Sequence, residues 1–109
     1  IVTSKGRHAT ERGLKLCSLD GFFDTIVTVD DVTQYKPHPA PVIEALKRLS
    51  AEAKHSVFIG DSPHDVESGR GAGVQTAAAL WGPFPRKNLA VHHPDYWLSK
   101  PREITTVLG

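Results

Sequence analysis

Apolar residues fall in short runs along the chain, separated by stretches of helical period. "IVT" (1–3) is strand-like. Residues 7–18 set Ala9, Leu14 and Cys17 at a helical spacing that Gly13 weakens, with Cys17 expected as a small core residue. "DTIVTVDDV" (24–32) is β-branched and predicts a strand. Pro39 and Pro41 suit a helix start, and Val42, Ile43, Leu46 and Leu49 then form one apolar stripe. "HSVFIG" (55–60) predicts a buried strand, and residues 63–72 a short helix ending at Gly71 and Gly73. "VQTAAAL" (74–80) is the next strand, "GPFPRKN" (82–88) a proline loop, and "DYWL" (95–98) a short last strand. Ser99 as N-cap, with Pro101 and Glu103 behind it, opens a final helix.

Strands alternating with helices imply right-handed crossovers and a parallel sheet, an α/β fold of Rossmann-like, three-layer form. Such sheets bind ligands at the carboxyl ends of their strands. Four positions therefore matter most: Thr3-Ser4-Lys5, Asp30-Asp31, Gly60-Asp61-Ser62 and Trp81-Gly82.

Composition narrows the picture. The 109 residues suffice for one domain with one core. A net charge of +1 with interspersed signs gives no basic face for nucleic acid or an anionic membrane. No apolar run approaches the roughly 18 residues of a membrane helix. The one cysteine excludes an internal disulfide and fits a reducing compartment, hence a cytoplasmic location. The chain begins at Ile1 and has no methionine, so a piece of a longer protein is expected, its opening strand cut short.

The candidate chemistry starts at "VFIGDSPHD" (57–65). Ser62-Pro63-His64-Asp65 reads as a capping box, which accounts for Ser62, Pro63 and Asp65 without any function. It leaves Asp61 unexplained. A carboxylate directly after a buried parallel strand is costly to desolvate without a positive partner. Mg²⁺ is a natural one, since it takes one or two carboxylates together with waters and phosphate oxygens. Gly-Asp-x-x-x-Asp alone is a weak signal, arising by accident in roughly a few per cent of chains this long.

Two further positions add to it. Lys36 precedes Pro37, which restricts its backbone, and follows the predicted strand 24–32. A solvated loop lysine is the bland reading. Beside two carboxylates and a phosphate it gains more: a unit-charge pair at ~4 Å is worth about 4 kcal/mol at an effective dielectric of 20. Thr3 and Ser4 follow the first apolar run, where a hydroxyl and backbone amides can hold a phosphate oxygen, though Ser and Thr also cap helices everywhere.

The order of these pieces resembles the haloacid dehalogenase-like superfamily, in particular its phosphoglycolate-phosphatase-like branch. "IVTSK" is similar to that family's second motif, "YKPHPAP" to its third and "VFIGDSPHDVESGRGAG" to its fourth. The resemblance covers nearly the whole chain, and it implies a Mg²⁺-dependent phosphatase acting through an aspartyl-phosphate on a small phosphorylated metabolite. Carried over, Thr3 and Ser4 would bind a phosphate oxygen and Lys36 would neutralise phosphate and nucleophile. Asp61 would bind Mg²⁺, and Asp65 would hold a metal-bound water or orient Lys36. The family's Asp-x-Asp nucleophile motif is not in the sequence; "TVDDV" has the wrong spacing, and Asp30-Asp31 read as a polar turn. Residues 1–109 are thus expected to be the C-terminal part of a core domain that starts at the second motif. The nucleophile strand and cap would lie upstream, and the sheet would need that strand to be complete. The chain alone is expected to be inactive. A phosphoglucomutase-like phosphotransferase and a non-catalytic phosphate-binding regulatory domain are the alternatives, with a dehalogenase less favoured.

Overall fold

The computed structural model describes residues 1–108. In chain order its helices and strands are α1 (Arg7–Leu16), α2 (Ala40–Leu49), β1 (Val57–Gly60), α3 (Pro63–Gly71), β2 (Gln75–Ala79), α4 (Arg86–Ala90) and β3 (Tyr96–Leu98). A 3-10 segment, Pro101–Val107, closes the described chain. The strands form one parallel sheet in the order β1-β2-β3, with Val57 opposite Gln75 and Ala77 opposite Tyr96. This is the α/β parallel sheet that the alternation predicts. No helix of the described residues is long and apolar enough to cross a membrane.

Small residues determine how closely α3 lies on the sheet. A Cβ on Gly69 would stand 2.7 Å from the Thr76 methyl, so only a bare Cα permits this approach. Around that contact Val66, Ala78 and Leu89 form a buried cluster, with Leu80 and Trp97 against it. Leu89 and Leu98 are fully buried, and each such side chain contributes roughly 1.5–3 kcal/mol. Gly73 leaves the helix at φ +80°, a left-handed turn that favours glycine.

Several expectations are corrected. The predicted strands 1–3 and 24–32 reduce to a single parallel bridge between Val2 and Val27. The competing group is the Asp31 carboxylate, which takes the Thr28 amide at 2.7 Å and curls Val29–Asp31 into a 3-10 turn. The polar turn expected at Asp30-Asp31 is present. The proline loop 82–88 contains the start of α4, because Pro85 precedes a helix-forming run. Lys100, not Ser99, occupies the N-cap of the last 3-10 segment; the amides of both donate to Glu103 Oε1 at 2.8 and 2.9 Å. Cys17 is exposed rather than in the core. Ile43 turns away from the stripe of α2 and is 49% exposed.

The rest of that stripe lies against a cavity of about 430 Å³ between the Val2–Val27 bridge and β1. Ile1 and Val2 form one wall, Val57 to Ile59 the other, and Val42, Ala45, Leu46 and Leu49 contribute from α2. This apolar space separates the bridge from the three-stranded sheet.

Around the bridge the chain is held by charge. Asp31 accepts from the Arg7 guanidinium at 2.7 Å and from Arg48 at 3.3 Å, so it ties the start of α1 to the end of α2. Arg7 also donates to the Ile26 carbonyl at 2.8 Å, and Asp30 caps α1 by accepting the Arg7 amide at 2.8 Å. The Thr28 amide, followed by the Arg7 guanidinium, holds the Asp31 carboxyl well below the usual carboxylate range. A depressed carboxyl stabilises the fold above its unfolded pKa, and that contribution is lost as pH falls toward the folded value. Asp31→Asn in the intact protein should therefore lower stability by about 1–2 kcal/mol at neutral pH. The gap between variant and wild-type melting temperatures should close as pH falls below about 4. Thermal melts from pH 7 to pH 3 would show it, and a gap independent of pH would contradict the assignment.

Candidate active site

Three segments converge at the carboxyl end of β1. The loop bearing Lys36 is tied to α3: the buried Ser68 hydroxyl donates to the His38 carbonyl at 2.7 Å, and Pro39 packs against Gly71. The Lys36–Pro37 peptide bond is cis. From this loop the Lys36 ammonium reaches Asp65 Oδ1 at 2.6 Å and the Val2 carbonyl at 3.4 Å, with its Nζ 5.8 Å from the centre of the Phe58 ring. The side chains of both Lys36 and Asp65 are 11% exposed, so this is a largely buried ion pair.

Asp65 belongs to the first turn of α3 and serves two purposes. Its Oδ2 accepts from the amides of Asp61 (3.1 Å) and Ser62 (3.2 Å), while the Ser62 hydroxyl accepts the Asp65 amide at 3.2 Å. The capping box read from the sequence is thus formed. Its other oxygen holds Lys36. The carboxylate sits directly over Gly60, where a Cβ would fall 2.2 Å from the Asp65 Cβ.

Asp61 is different. It follows β1 on the same turn, yet its carboxylate makes no hydrogen bond among the described residues. It faces a crevice of about 250 Å³ that Lys36, Asp65, Val2, Phe58 and Trp81 also line. The larger cavity beside β1 is apolar and carries no comparable chemistry. Lys36, Asp61 and Asp65 are therefore brought together as the motif order implies. Thr3 and Ser4 do not line this crevice. They follow Val2, whose carbonyl Lys36 touches, and the Thr3 hydroxyl accepts the Lys5 amide at 3.1 Å. Trp81, just after β2, lines the crevice. Arg86 stacks on Trp97, its guanidinium carbon 4.1 Å from the ring centre.

The donor set fits a hard divalent cation. Asp61 presents an uncommitted carboxylate in a polar crevice, and Mg²⁺ needs only one or two carboxylates when water and phosphate complete its shell. No group of three or more His, Cys, Asp or Glu able to hold a metal occurs among the described residues, which disfavours an all-protein cage of the zinc type.

The haloacid dehalogenase-like hydrolase family pattern matches residues 1–79. The chain belongs to the haloacid dehalogenase-like hydrolases. It is 44% identical over all 109 residues to a protein named pyrophosphatase PpaX from Oceanobacillus iheyensis, of which it covers 51%. To the protein of the same name from Anoxybacillus flavithermus it is 42% identical, again covering 51%. Among solved structures it resembles a haloacid dehalogenase-superfamily hydrolase of subfamily IA from Geobacter sulfurreducens. There the TM-score is 0.81 and the identity 31%, over 97% of this chain and 46% of that one. It also resembles a putative phosphoglycolate phosphatase from Lactobacillus plantarum, with TM-score 0.85 and 28% identity, over 98% of this chain and 51% of that one. The chain spans about half the length of the curated relatives it matches, and its three-stranded parallel sheet is a partial Rossmann-like core of this family's fold.

The two carboxylates should respond differently to neutralisation. Asp65→Asn breaks a buried ion pair and weakens two amide contacts, so it should cost about 3 kcal/mol or more. Asp61→Asn removes a charge without a hydrogen-bonded partner and should leave stability unchanged or raise it. Denaturant melts of the intact protein compare them directly, and an Asp61→Asn loss as large as that of Asp65→Asn would contradict the geometry.

Proposed function

We propose that this chain forms the phosphate- and metal-binding part of a Mg²⁺-dependent phosphohydrolase. The observation that carries the reading is the pairing of a free Asp61 carboxylate with a Lys36 held in the same crevice by Asp65. One site then offers a cation ligand and a fixed positive charge, which suits an oxyanion bound between them. Identity of 44% over the whole chain to a pyrophosphatase makes inorganic pyrophosphate the first substrate to try, with small phosphate monoesters next.

Each residue has a part. Asp61 would hold Mg²⁺, directly or through water. Asp65, with both oxygens already engaged, would act by keeping Lys36 in place and by steadying a metal-bound water. Lys36 would neutralise charge on the transferred phosphoryl group and on the attacking carboxylate. The Thr3 hydroxyl accepts from the Lys5 amide, which leaves its proton free to donate to a phosphate oxygen, with the Ser4 amide beside it. When bound, Mg²⁺ supplies a Lewis acid and a template for in-line transfer. The attacking aspartate, which would form an aspartyl-phosphate, is assigned to a segment upstream of Ile1. We place its strand in the apolar space between Val2 and β1, where an extended segment would find backbone partners on both sides.

A phosphoglucomutase-like transferase could use the same crevice, a reading favoured by likeness to a putative β-phosphoglucomutase structure from Thermotoga maritima, with TM-score 0.83 and 30% identity over 96% of this chain and 48% of that one. Phosphate release from pyrophosphate and monoesters, against phosphoryl transfer between sugar phosphates, separates the two.

The intact protein should hydrolyse pyrophosphate or p-nitrophenyl phosphate with Mg²⁺ and lose that turnover in chelator, while residues 1–109 alone should show none. Lys36→Ala and Asp61→Asn should each lower kcat by roughly 10²–10³-fold, the usual effect of removing one electrostatic stabiliser. Turnover that persists in chelator, or equal turnover by the 109 residues alone, would refute the proposal.

A further inference from the structure

Asp61 lacks the polar partners that fix Asp65, so its carboxylate must be oriented in another way. The chain leaving β2 passes over it. A Cβ added to Gly82 would stand 2.4 Å from the Asp61 Cβ, 2.7 Å from its Cγ and 2.5 Å from its Oδ2. Carbon atoms pack at about 3.5–4.0 Å, so either the turn or Asp61 would have to retreat by roughly 1 Å. Two of the atoms struck lie at the root of the side chain, where rotation about χ2 offers no escape. The turn is also restrained on both sides. Leu80 donates its amide to the Leu98 carbonyl at 2.8 Å, and beyond the turn Arg86 is stacked on Trp97.

We propose that Gly82 is a positioning residue for Asp61: its bare Cα lets the β2–α4 turn close on the aspartate and fix the direction of its carboxylate in the crevice. Asp65 is held by hydrogen bonds and charge, Asp61 by contact with a glycine on a different segment. The arrangement makes cation affinity depend on a residue that offers no ligand atom. The nature of the cation rests on the proposed function; the contact between Gly82 and Asp61 does not.

The test uses Gly82→Ala in the intact protein, with Mn²⁺ alone as a spectroscopic probe in place of Mg²⁺. Mn²⁺ binding, followed by electron paramagnetic resonance, should weaken at least tenfold. The metal concentration for half-maximal activity should rise in parallel, with little change in KM for the phosphate substrate. Gly69→Ala is the control, because its Cβ would strike Thr76 in the core instead. It should lower the melting temperature and cost far less Mn²⁺ affinity than Gly82→Ala. Wild-type Mn²⁺ affinity in Gly82→Ala, or an equal loss in Gly69→Ala, would overturn the proposal. If the wild type itself binds no Mn²⁺, the metal reading fails, and a second arm decides the positioning claim by stability. The fall in melting temperature caused by Gly82→Ala should disappear when Asp61→Gly removes the struck atoms. A fall that persists in the double variant overturns the claim.

Discussion

The Lys36–Asp65 ion pair is the contact on which the site depends. A buried pair of this kind contributes little net stability, because desolvation offsets most of its attraction. Its effect is positional. One oxygen of Asp65 fixes the Lys36 ammonium and the other gathers the amides of Asp61 and Ser62, so the turn after β1 and the loop that carries Lys36 are locked to the first turn of α3. The arrangement works only because Gly60 lets the carboxylate lie against the backbone. Asp61 emerges from the same turn with its amide held by Asp65 and its carboxylate without a hydrogen-bonded partner among the described residues, which leaves its charge available.

The packing behind the site serves the same geometry. Gly69 brings α3 onto Thr76, Ser68 and Gly71 bind the Lys36 loop to that helix, and Val66 anchors the helix in the cluster with Ala78 and Leu89. One short helix thus touches the core with one face and the Lys36 loop with another.

Much of this was legible in the sequence because period and punctuation agreed. "HSVFIG" and "VQTAAAL" read as strands and are strands, and Ser62-Pro63-His64-Asp65 read as a capping box and is one. The motif order pointed to Lys36, Asp61 and Asp65, which share one crevice, and to Thr3 and Ser4, which do not line it. Errors arose where side-chain contacts or exposure overrode the local pattern. "DTIVTVDDV" has strand composition, but Asp31 captures the Thr28 amide and two arginines, one from each of two helices, capture Asp31. Cys17 fits a helical stripe, yet it lies just past the last turn of α1 as its C-cap and is exposed. The close approach of Gly82 to Asp61 left no sequence signal beyond a glycine after a strand, since the two are 21 residues apart in the chain.

The apolar space between Val2 and β1 has a consequence for precision. Side chains along an extended segment alternate between the two faces of a sheet, so sliding such a segment by one residue reverses what each position presents. A strand laid between Val2 and Ile59 would have to stop at one particular notch for its last side chain to meet the Lys36 ammonium. Were the proposed strand to lie there, the walls of that space would act as a gauge: they would determine how far the incoming chain reaches before it turns, and so which of its residues could react.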